Sequence, residues 1–589
     1  MGNTRPHGVY RFSGGVKHKA LRIVVSLFVL IIAGIMGYAV WLSHHYKQII
    51  KDQLPGIVTN STDSIYHISF SDISVSFYDH RVTITDLKLW PDNEQVQRMR
   101  EQRRHILSTL STVSIPSLEA YGIAWGDLVS EKSLDCKSIV VHNLKWLMVC
   151  HPNPGDSSFT RDKHKDPKIT RVTATVVNFI NPDITYHYKG LKEEFYCYMK
   201  GGKAELSNWV YNYDEHKDTC SFLYAHSGKV RFESFIFSKP TGRYVIKSPD
   251  LDFRTTANSV TLTSVKIKHM VDYDQQNGKE KEIYNLNFPT IELAGFNWYQ
   301  LVNDAELTVP KVTGESPVID IQFMRKNAAK NPRMGSYPNQ LLLQVGLKTN
   351  IEVLNIKKGY FKYTEVTPKG DQGTIIFSNI NGQFRNITNI PSAIAQHKSC
   401  TAKLEGKFMN KSPMSATFDL SLANNKGGYK VDGYLTDLDG DEVTPQAQVF
   451  TIVKVTSFHL NRMDMHIEGD EYYGKGDFTV RYENLKISLF KFDTKERQAK
   501  HGLFAFVGSA LLLYPYNPMP GKEVRTVTTS FARDTTKGFI STIWQHMFRA
   551  AKKTAVREQG IVTLTDGPET GKGEPPKKGI LKRLFGKKK

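Results

Sequence analysis

The residues of this chain that come nearest to a chemical site are the acids of Asp437-Leu438-Asp439-Gly440-Asp441-Glu442. Closely spaced carboxylates around a glycine are how a calcium loop gathers hard oxygen ligands about one ion. The spacing fails that test. The glycine falls at the fourth position instead of the sixth, and Gln448 stands at the twelfth, where a bidentate Glu would close the loop. An exposed hairpin turn is the better reading, and no metal is expected. The nineteen histidines are scattered, and His44-His45 sit where an apolar run ends, placed to meet water and lipid headgroups. HExxH, GxSxG, a Walker loop and a GxGxxG opening a helix are all missing from the sequence. Asn60, Asn386 and Asn410 fit Asn-x-Ser/Thr, a frequent chance match. Five cysteines (Cys136, Cys150, Cys197, Cys220, Cys400) lack CxxC spacing; local bridges Cys136–Cys150 or Cys197–Cys220 and buried free thiols both remain open. The expectation is a protein with no catalytic residue and no cofactor.

What the chain offers instead is apolar strand faces. From Ile57 onward the pattern has period two: Ile73, Val75 and Phe77 alternate with Asp72, Ser74 and Ser76, and Val82 and Ile84 with Thr83 and Thr85, while Leu87 and Leu89 flank Lys88. Such alternation marks strands with one apolar and one wet face. Pro91 to Leu107 reads as a surface helix, and strands resume near Ser108. From Ala402 the alternation is cleaner, and an antiparallel meander is expected. Gly502 to Leu513 is apolar but too short to cross a bilayer. Val524 to Phe531 reads as the final strand. Gly538 to Arg557 then predicts a helix with Phe539, Ile540, Ile543, Trp544, Met547, Phe548 and Ala551 on its apolar face. Strands far outnumber helices, so their apolar faces need another cover: a second sheet, a closed barrel, or ligand held by a curved sheet.

Part of this pattern occurs twice. Ile115 to Leu134 aligns without a gap with Phe288 to Leu307, matching Pro116/Pro289, Glu119/Glu292, Gly122/Gly295, Trp125/Trp298, Leu128/Leu301, Val129/Val302 and Leu134/Leu307. Upstream of each copy, RVTITDLKLW from Arg81 matches SVTLTSVKIK from Ser259, so Val82, Ile84, Leu87 and Leu89 correspond to Val260, Leu262, Val265 and Ile267. Self-similarity of this kind predicts an elongated array whose units bury their faces against neighbours.

The 589 residues are 40% hydrophobic and carry a net charge of +20, a composition that excludes wholesale disorder. More than half of that excess lies at the two ends, so the charge is no argument for nucleic acid, which is not expected as a partner. Ile23 to Leu42 is an uncharged apolar run long enough, at about 1.5 Å per residue, to span a bilayer core as a retained anchor. The basic segment before it predicts a cytoplasmic N-terminus, with the rest across the membrane. The tail mixes Lys577, Lys578, Lys582, Arg583 and Lys587 with Leu584 and Phe585, a pattern suited to anionic membrane surfaces. The expected organisation is a cytoplasmic segment 1–22, a transmembrane anchor 23–42, β units over 57–250 and 251–400, a C-terminal antiparallel β region 401–500, an apolar segment with last strand and amphipathic helix 501–557, and a disordered basic tail 558–589.

Three blocks carry a resemblance. FSDISVSFYDHRVTITDLKLWPD from Phe70 follows the anchor, SIPSLEAYGIAWGDLVSEKSLDCKSIVVHNLKW runs from Ser114 to Trp146, and Val431 to Phe490 closes with Tyr482-x-x-Leu485 before the Gly538-Phe539 helix. Together they resemble the AsmA-like group of Gram-negative envelope proteins, related to TamB-type bridge-like lipid carriers, in versions similar to those of Bacteroidota. The resemblance covers roughly residues 20–557. It implies a mainly β protein: an inner-membrane helix followed by a repeat-built, curved antiparallel β-groove in the periplasm and a C-terminal amphipathic helix. The implied partners are membrane phospholipids, whose tails the groove would hold at Ile73, Val75, Phe77, Val82, Ile84, Leu87, Leu89, Val260, Leu262, Val265 and Ile267. An anchored assembly factor acting through contacts with envelope proteins is the alternative.

Overall fold

A computed structural model of the chain describes residues 55–556 except 56–57, 60–61, 63, 77, 102–108, 125–132, 152–170, 191–193, 213–221, 240–243, 270–281, 298–299, 301–305, 325–333, 346–347, 367–369, 444–452, 490–512 and 536. The expected anchor at 23–42, most of the Gly502–Leu513 segment and the basic tail lie outside the described residues. Among the described residues no helix is long and apolar enough to cross a membrane.

Every named strand belongs to one sheet of 26 strands. Seven lines of this sheet are each broken into two strands, so the sheet has nineteen rungs. The first rung is β1 (Tyr66–Ser69) with β2 (Asp72–Ser76), both paired with β3 (Arg81–Pro91). Then come β4 (Thr109–Tyr121), β5 (Ser133–His142) with β6 (Lys145–Cys150), β7 (Arg171–Ile180) with β8 (Asp183–Lys189), and β9 (Glu194–Lys200) with β10 (Lys203–Asn212). Next are β11 (Ala225–Phe232) with β12 (Ser234–Ser238), β13 (Tyr244–Ser248) with β14 (Asp250–Arg254), β15 (Ser259–His269), β16 (Glu282–Ala294), and β17 (Glu306–Glu315) with β18 (Val318–Met324). The last rungs are β19 (Lys348–Val366), β20 (Gln372–Thr388), β21 (Ser399–Phe408), β22 (Ser412–Ser421), β23 (Tyr429–Asp439), β24 (Val453–Gly469), β25 (Tyr473–Leu489) and β26 (Thr526–Ala532). The helices are α1 (Asn93–Glu101), α2 (Pro338–Leu343), α3 (Pro391–Gln396) and α4 (Phe539–Ala555).

The sheet is curved but not purely antiparallel, which corrects the sequence-based expectation. β5 and β6 run parallel to β7 and β8, and β17 and β18 run parallel to β19. In each case the chain returns to the starting end before pairing again, a crossover that strand periodicity does not encode. From β19 onward all pairings are antiparallel, so the meander reading of the C-terminal region holds.

One device recurs along the sheet. Asp86, Asn143, Asn181, Ser264, Ser316 and Lys358 sit mid-rung with φ between 48° and 53°. Each places one residue in the left-handed region, which rotates the following half of the rung by one position; the pairing register runs on unbroken except beside Lys358, where it shifts as in a bulge. That is why Ile84 and Leu87, three apart, are both 0% exposed. Strict period two would send them to opposite faces. In β4 the same offset falls at Pro116, between Ile115 and Leu118, both 0% exposed. A line of such left-handed residues running from rung to rung divides each rung into two halves that share one apolar face. The line also follows the internal repeat: Asp86 matches Ser264, Asn143 matches Ser316, and Gly122 and Gly295 both end their strands at positive φ, 67° and 74°.

The apolar face is packed shut at both ends. At the first end Val82, Ile84, Leu87, Leu89, Leu118 and Leu134 are 0% exposed, and Val58, Ile65 and the α1 residues Val96 and Met99 belong to the same cluster. α1 is thus an amphipathic cover and not only the surface helix expected. At the other end Tyr337, Tyr429, Val431, Ile467 and Phe478 pack with Phe539 and Ala550 of α4. The face α4 buries overlaps the expected one: Phe539 is buried and Ile543, Trp544, Met547 and Ala551 pack against the same core, but Ile540 and Phe548 are about half exposed, at 47% and 50%, and Thr542, His546, Ala550 and Thr554 are buried in addition. The reason is close approach. Gly474 of β25 leaves a gap that His546 fills, and a Cβ there would lie 2.5 Å from His546 Nε2. The side of the helix that meets this glycine therefore carries mainly small and polar groups.

Candidate functional site

The registers place the apolar side chains in rows that run across the rungs. One row occupies the half containing β5. It starts at Ile73, Ile84, Leu118 and Val141, continues through Phe179, Ala204, Val230 and Phe253, and crosses the second repeat at Val260, Leu293, Val312 and Leu354. It ends with Phe384, Ala402, Phe418, Val431 and Ile467. With strands roughly 4.8 Å apart it is on the order of 80 Å long, and it contains no polar side chain.

The other half of each rung, containing β6, carries a second row. Met148, Tyr186, Cys197, Phe237 and Ile246 are followed by Ile267, Leu286, Ile319, Phe361 and Phe377, each the register partner of the next. All ten are half-buried. The row ends on Phe408, which is 3% exposed and stacks at 6.2 Å on Trp544 of α4. Between the two packed ends, then, runs a strip of apolar side chains that protein only partly covers. Aromatic contacts brace it: Phe195 to Phe237 at 5.4 Å, Phe361 to Phe377 at 5.9 Å.

A second sheet or a closed barrel would remove this exposure. Among the described residues there is no second sheet, and β26 pairs only with β25 while β1 and β2 pair only with β3, so the sheet does not close on itself.

The sequence-derived candidates divide between two surroundings. Val82, Ile84, Leu87 and Leu89 are 0% exposed and Ile73 is 5% exposed, so they belong to the packed end. Val75 is half-buried, and Phe77 lies outside the described residues. Their counterparts Val260, Leu262 and Ile267 are half-buried, with Val265 at 5% exposure. Equivalent positions in the two repeats therefore differ in cover. The aromatic members Tyr186, Phe237, Phe361 and Phe377 were not found from the sequence. β9 shows why: Phe195, Tyr196, Cys197, Tyr198 and Met199 are apolar or aromatic on both faces, so alternation carries no signal there. Lys577, Lys578, Lys582, Arg583, Leu584, Phe585 and Lys587 lie outside the described residues.

The opposite face is wet. Neighbouring rungs carry ion pairs across it: Arg231 with Asp250 at 2.8 Å, Lys357 with Glu315 at 2.6 Å, Lys362 with Asp320 at 3.2 Å. Exposed pairs of this kind hold a sheet only weakly, because water screens them, so their effect is to keep that face solvated. A polar cavity of about 680 Å³ lies on it over β22–β26. Its charges are already matched, with His466 Nδ1 2.6 Å from Asp432 and both Arg462 (2.6 Å) and Arg481 (2.9 Å) on Asp464.

Groups with chemical potential are likewise occupied or silenced. Asp439, Asp441 and Glu442 do cluster, but Glu442 accepts from Lys411 at 3.0 Å and Asp439 pairs with His459 at 2.8 Å. Cys136, Cys150, Cys197 and Cys400 are free thiols, so the Cys136–Cys150 bridge is not formed; Cys220 lies outside the described residues. Burial pushes the Cys136 thiol up to about 12 and those of Cys197 and Cys400 up to about 11. At neutral pH these are poor nucleophiles, since the thiolate is the reactive form. His546, on the buried side of α4, is pushed down to about 4 by burial and then by the Arg549 charge. What the geometry provides is a long apolar strip between packed ends, backed by a solvated face. Compared with protein-family models and with curated proteins, the chain matches none.

Proposed function

We propose that this protein is a non-enzymatic lipid carrier that shelters acyl tails against the apolar strip of its curved sheet. The observation that carries this reading is the run of ten half-buried apolar side chains from Met148 to Phe377, left without a covering sheet among the described residues. Such a strip is costly in water. Each tail CH₂ moved onto it gains up to about 0.8 kcal/mol, while polar headgroups stay in solvent at the lip of the groove. Movement along the row needs no step in which a whole tail meets water. The apolar run 23–42 would hold the chain in the inner membrane with its basic N-terminus in the cytoplasm. The sheet would then stand in the periplasm and handle phospholipid between envelope membranes, in line with the resemblance to AsmA-like proteins. Mass spectrometry of organic extracts from the gently purified full chain tests this; a chain devoid of phospholipid refutes it.

A second reading has one observation in its favour: both outermost rungs, β1 with β2 and β26, have an unpaired edge among the described residues. An open edge is a template for strand addition, so an assembly role through envelope proteins would work there. Stable co-purification of a protein whose strand cross-links to Thr528 or Ser530, with no lipid present, would favour it.

A further inference from the structure

The outer face of the β6 half breaks the rule of matched charges. In one continuous row Leu147 is followed by Thr185, Tyr198, Ile236, Lys247 and Lys266, each the register partner of the next. Lys247 and Lys266 stand directly opposite one another, and Lys268 shares their face two residues on. Like charges placed opposite across a strand pair destabilise it. All three lysines are exposed, and none has an acidic partner within ion-pair distance among the described residues. Elsewhere on this face Arg231, Lys357 and Lys362 each meet a carboxylate. Beside the lysines the face is aromatic and aliphatic: Tyr196 and Tyr198 lie with their rings 5.7 Å apart, Ile236 is half-buried and Leu147 is 40% exposed.

We infer that this face is a docking surface for an anionic phospholipid bilayer. Uncompensated lysines seek external phosphate, and tyrosines with aliphatic neighbours suit the boundary between headgroups and acyl chains. A soluble polyanion such as RNA or an acidic peptide would meet the lysines but leave the Leu147–Ile236 side without a partner, so the bilayer fits both parts. The patch lies on the opposite face of the same strands that carry the Tyr186–Ile267 part of the apolar strip, but the inference does not rest on lipid being carried there.

The test holds the full chain in nanodiscs of neutral lipid, so that anchor and tail are the same in every sample. Binding to phosphatidylglycerol vesicles is compared with binding to phosphatidylcholine vesicles. Lys247→Gln with Lys266→Gln and Lys268→Gln should weaken binding to the anionic vesicles by roughly a hundredfold, and by roughly thirtyfold for two of the three. A control set at other exposed lysines, Lys88→Gln, Lys403→Gln and Lys430→Gln, should change it by less than about threefold. Because the triple change relieves repulsion, its melting temperature should not fall, which separates lost docking from lost folding. Equal weakening by both sets, or vesicle binding that survives the patch changes while binding to poly-glutamate or single-stranded RNA is lost, overturns the inference. Unchanged lipid content in the patch variant is expected; a chain that carries no lipid at all yet still docks through the patch would sink the carrier reading alone.

Discussion

Replacing Ile267 and Leu286 together by Asp tests the carrier reading most directly. These side chains are register partners on β15 and β16, near the middle of the half-buried row. A tail lying along that row passes about four CH₂ groups for each strand spacing of roughly 4.8 Å. The strip shields one side of the tail only, so about half of the ~0.8 kcal/mol per CH₂ is gained on it. Across the two altered rungs the loss comes to about 3 kcal/mol, or roughly a hundredfold in affinity. The fold should survive because both positions already reach water. The assay is titration of the detergent-exchanged chain with a fluorescent phospholipid, alongside thermal melting. Affinity within threefold of the parent at an unchanged melting temperature would refute the argument, since the charges would then lie outside the path of the tail.

Four further outcomes follow from the packing. Leu118→Ala, at a position 0% exposed, should cost ~2–5 kcal/mol in denaturant unfolding, whereas Leu286→Ala on the half-buried strip should cost clearly less. Lys358→Gly should stabilise by about 0.5–1 kcal/mol, because removing left-handed strain at φ 52° outweighs the added freedom of glycine in the unfolded chain; a lower denaturation midpoint would count against the bulge. Gly474→Ala should loosen α4 by about 1–3 kcal/mol, as its methyl would stand 2.5 Å from His546 Nε2, and His546→Ala should recover part of that loss. His546 is a base whose pKa falls from 6.5 to about 4 on folding, so the unfolded chain binds the extra proton first. Its contribution is therefore constant above pH 6.5 and declines as the pH drops, by about 3 kcal/mol at pH 4. His546→Gln should flatten that part of the stability profile in equilibrium unfolding.

Much of the architecture was legible in the chain because strand alternation and turn residues act locally. The period-two runs at Asp72–Ser76 and Arg81–Pro91 became β2 and β3, the run ending at Phe531 became the last strand, and Gly538–Arg557 became α4. The internal duplication reappears as matched left-handed residues and matched parallel crossovers. The site was legible only in part. Val82 and Val260 occupy equivalent places in the repeated pattern, yet the first lies in the cluster closed by Val58, Ile65 and α1 and the second is half-open, a difference in cover that the shared strand pattern does not encode. α4 was legible in most of its packing, with Phe539, Ile543, Trp544, Met547 and Ala551 against the core, but burial of Thr542 and His546 was missed, since Gly474 left room for His546 and not for a bulky side chain.

By itself the amino-acid order determined that strands form, which side chains share a face within each half rung, and that one unit was copied. Those properties depend on neighbours two or three residues apart. Only the tertiary structure decided where each rung bends, which strands run parallel, and which stretch of the apolar face stays partly open. A left-handed residue at Asp86 or Lys358 is favourable only where all adjoining rungs turn along the same line. Exposure of the Met148–Phe377 strip is set by what α1 and α4 cover at the two ends, a distance no local pattern spans.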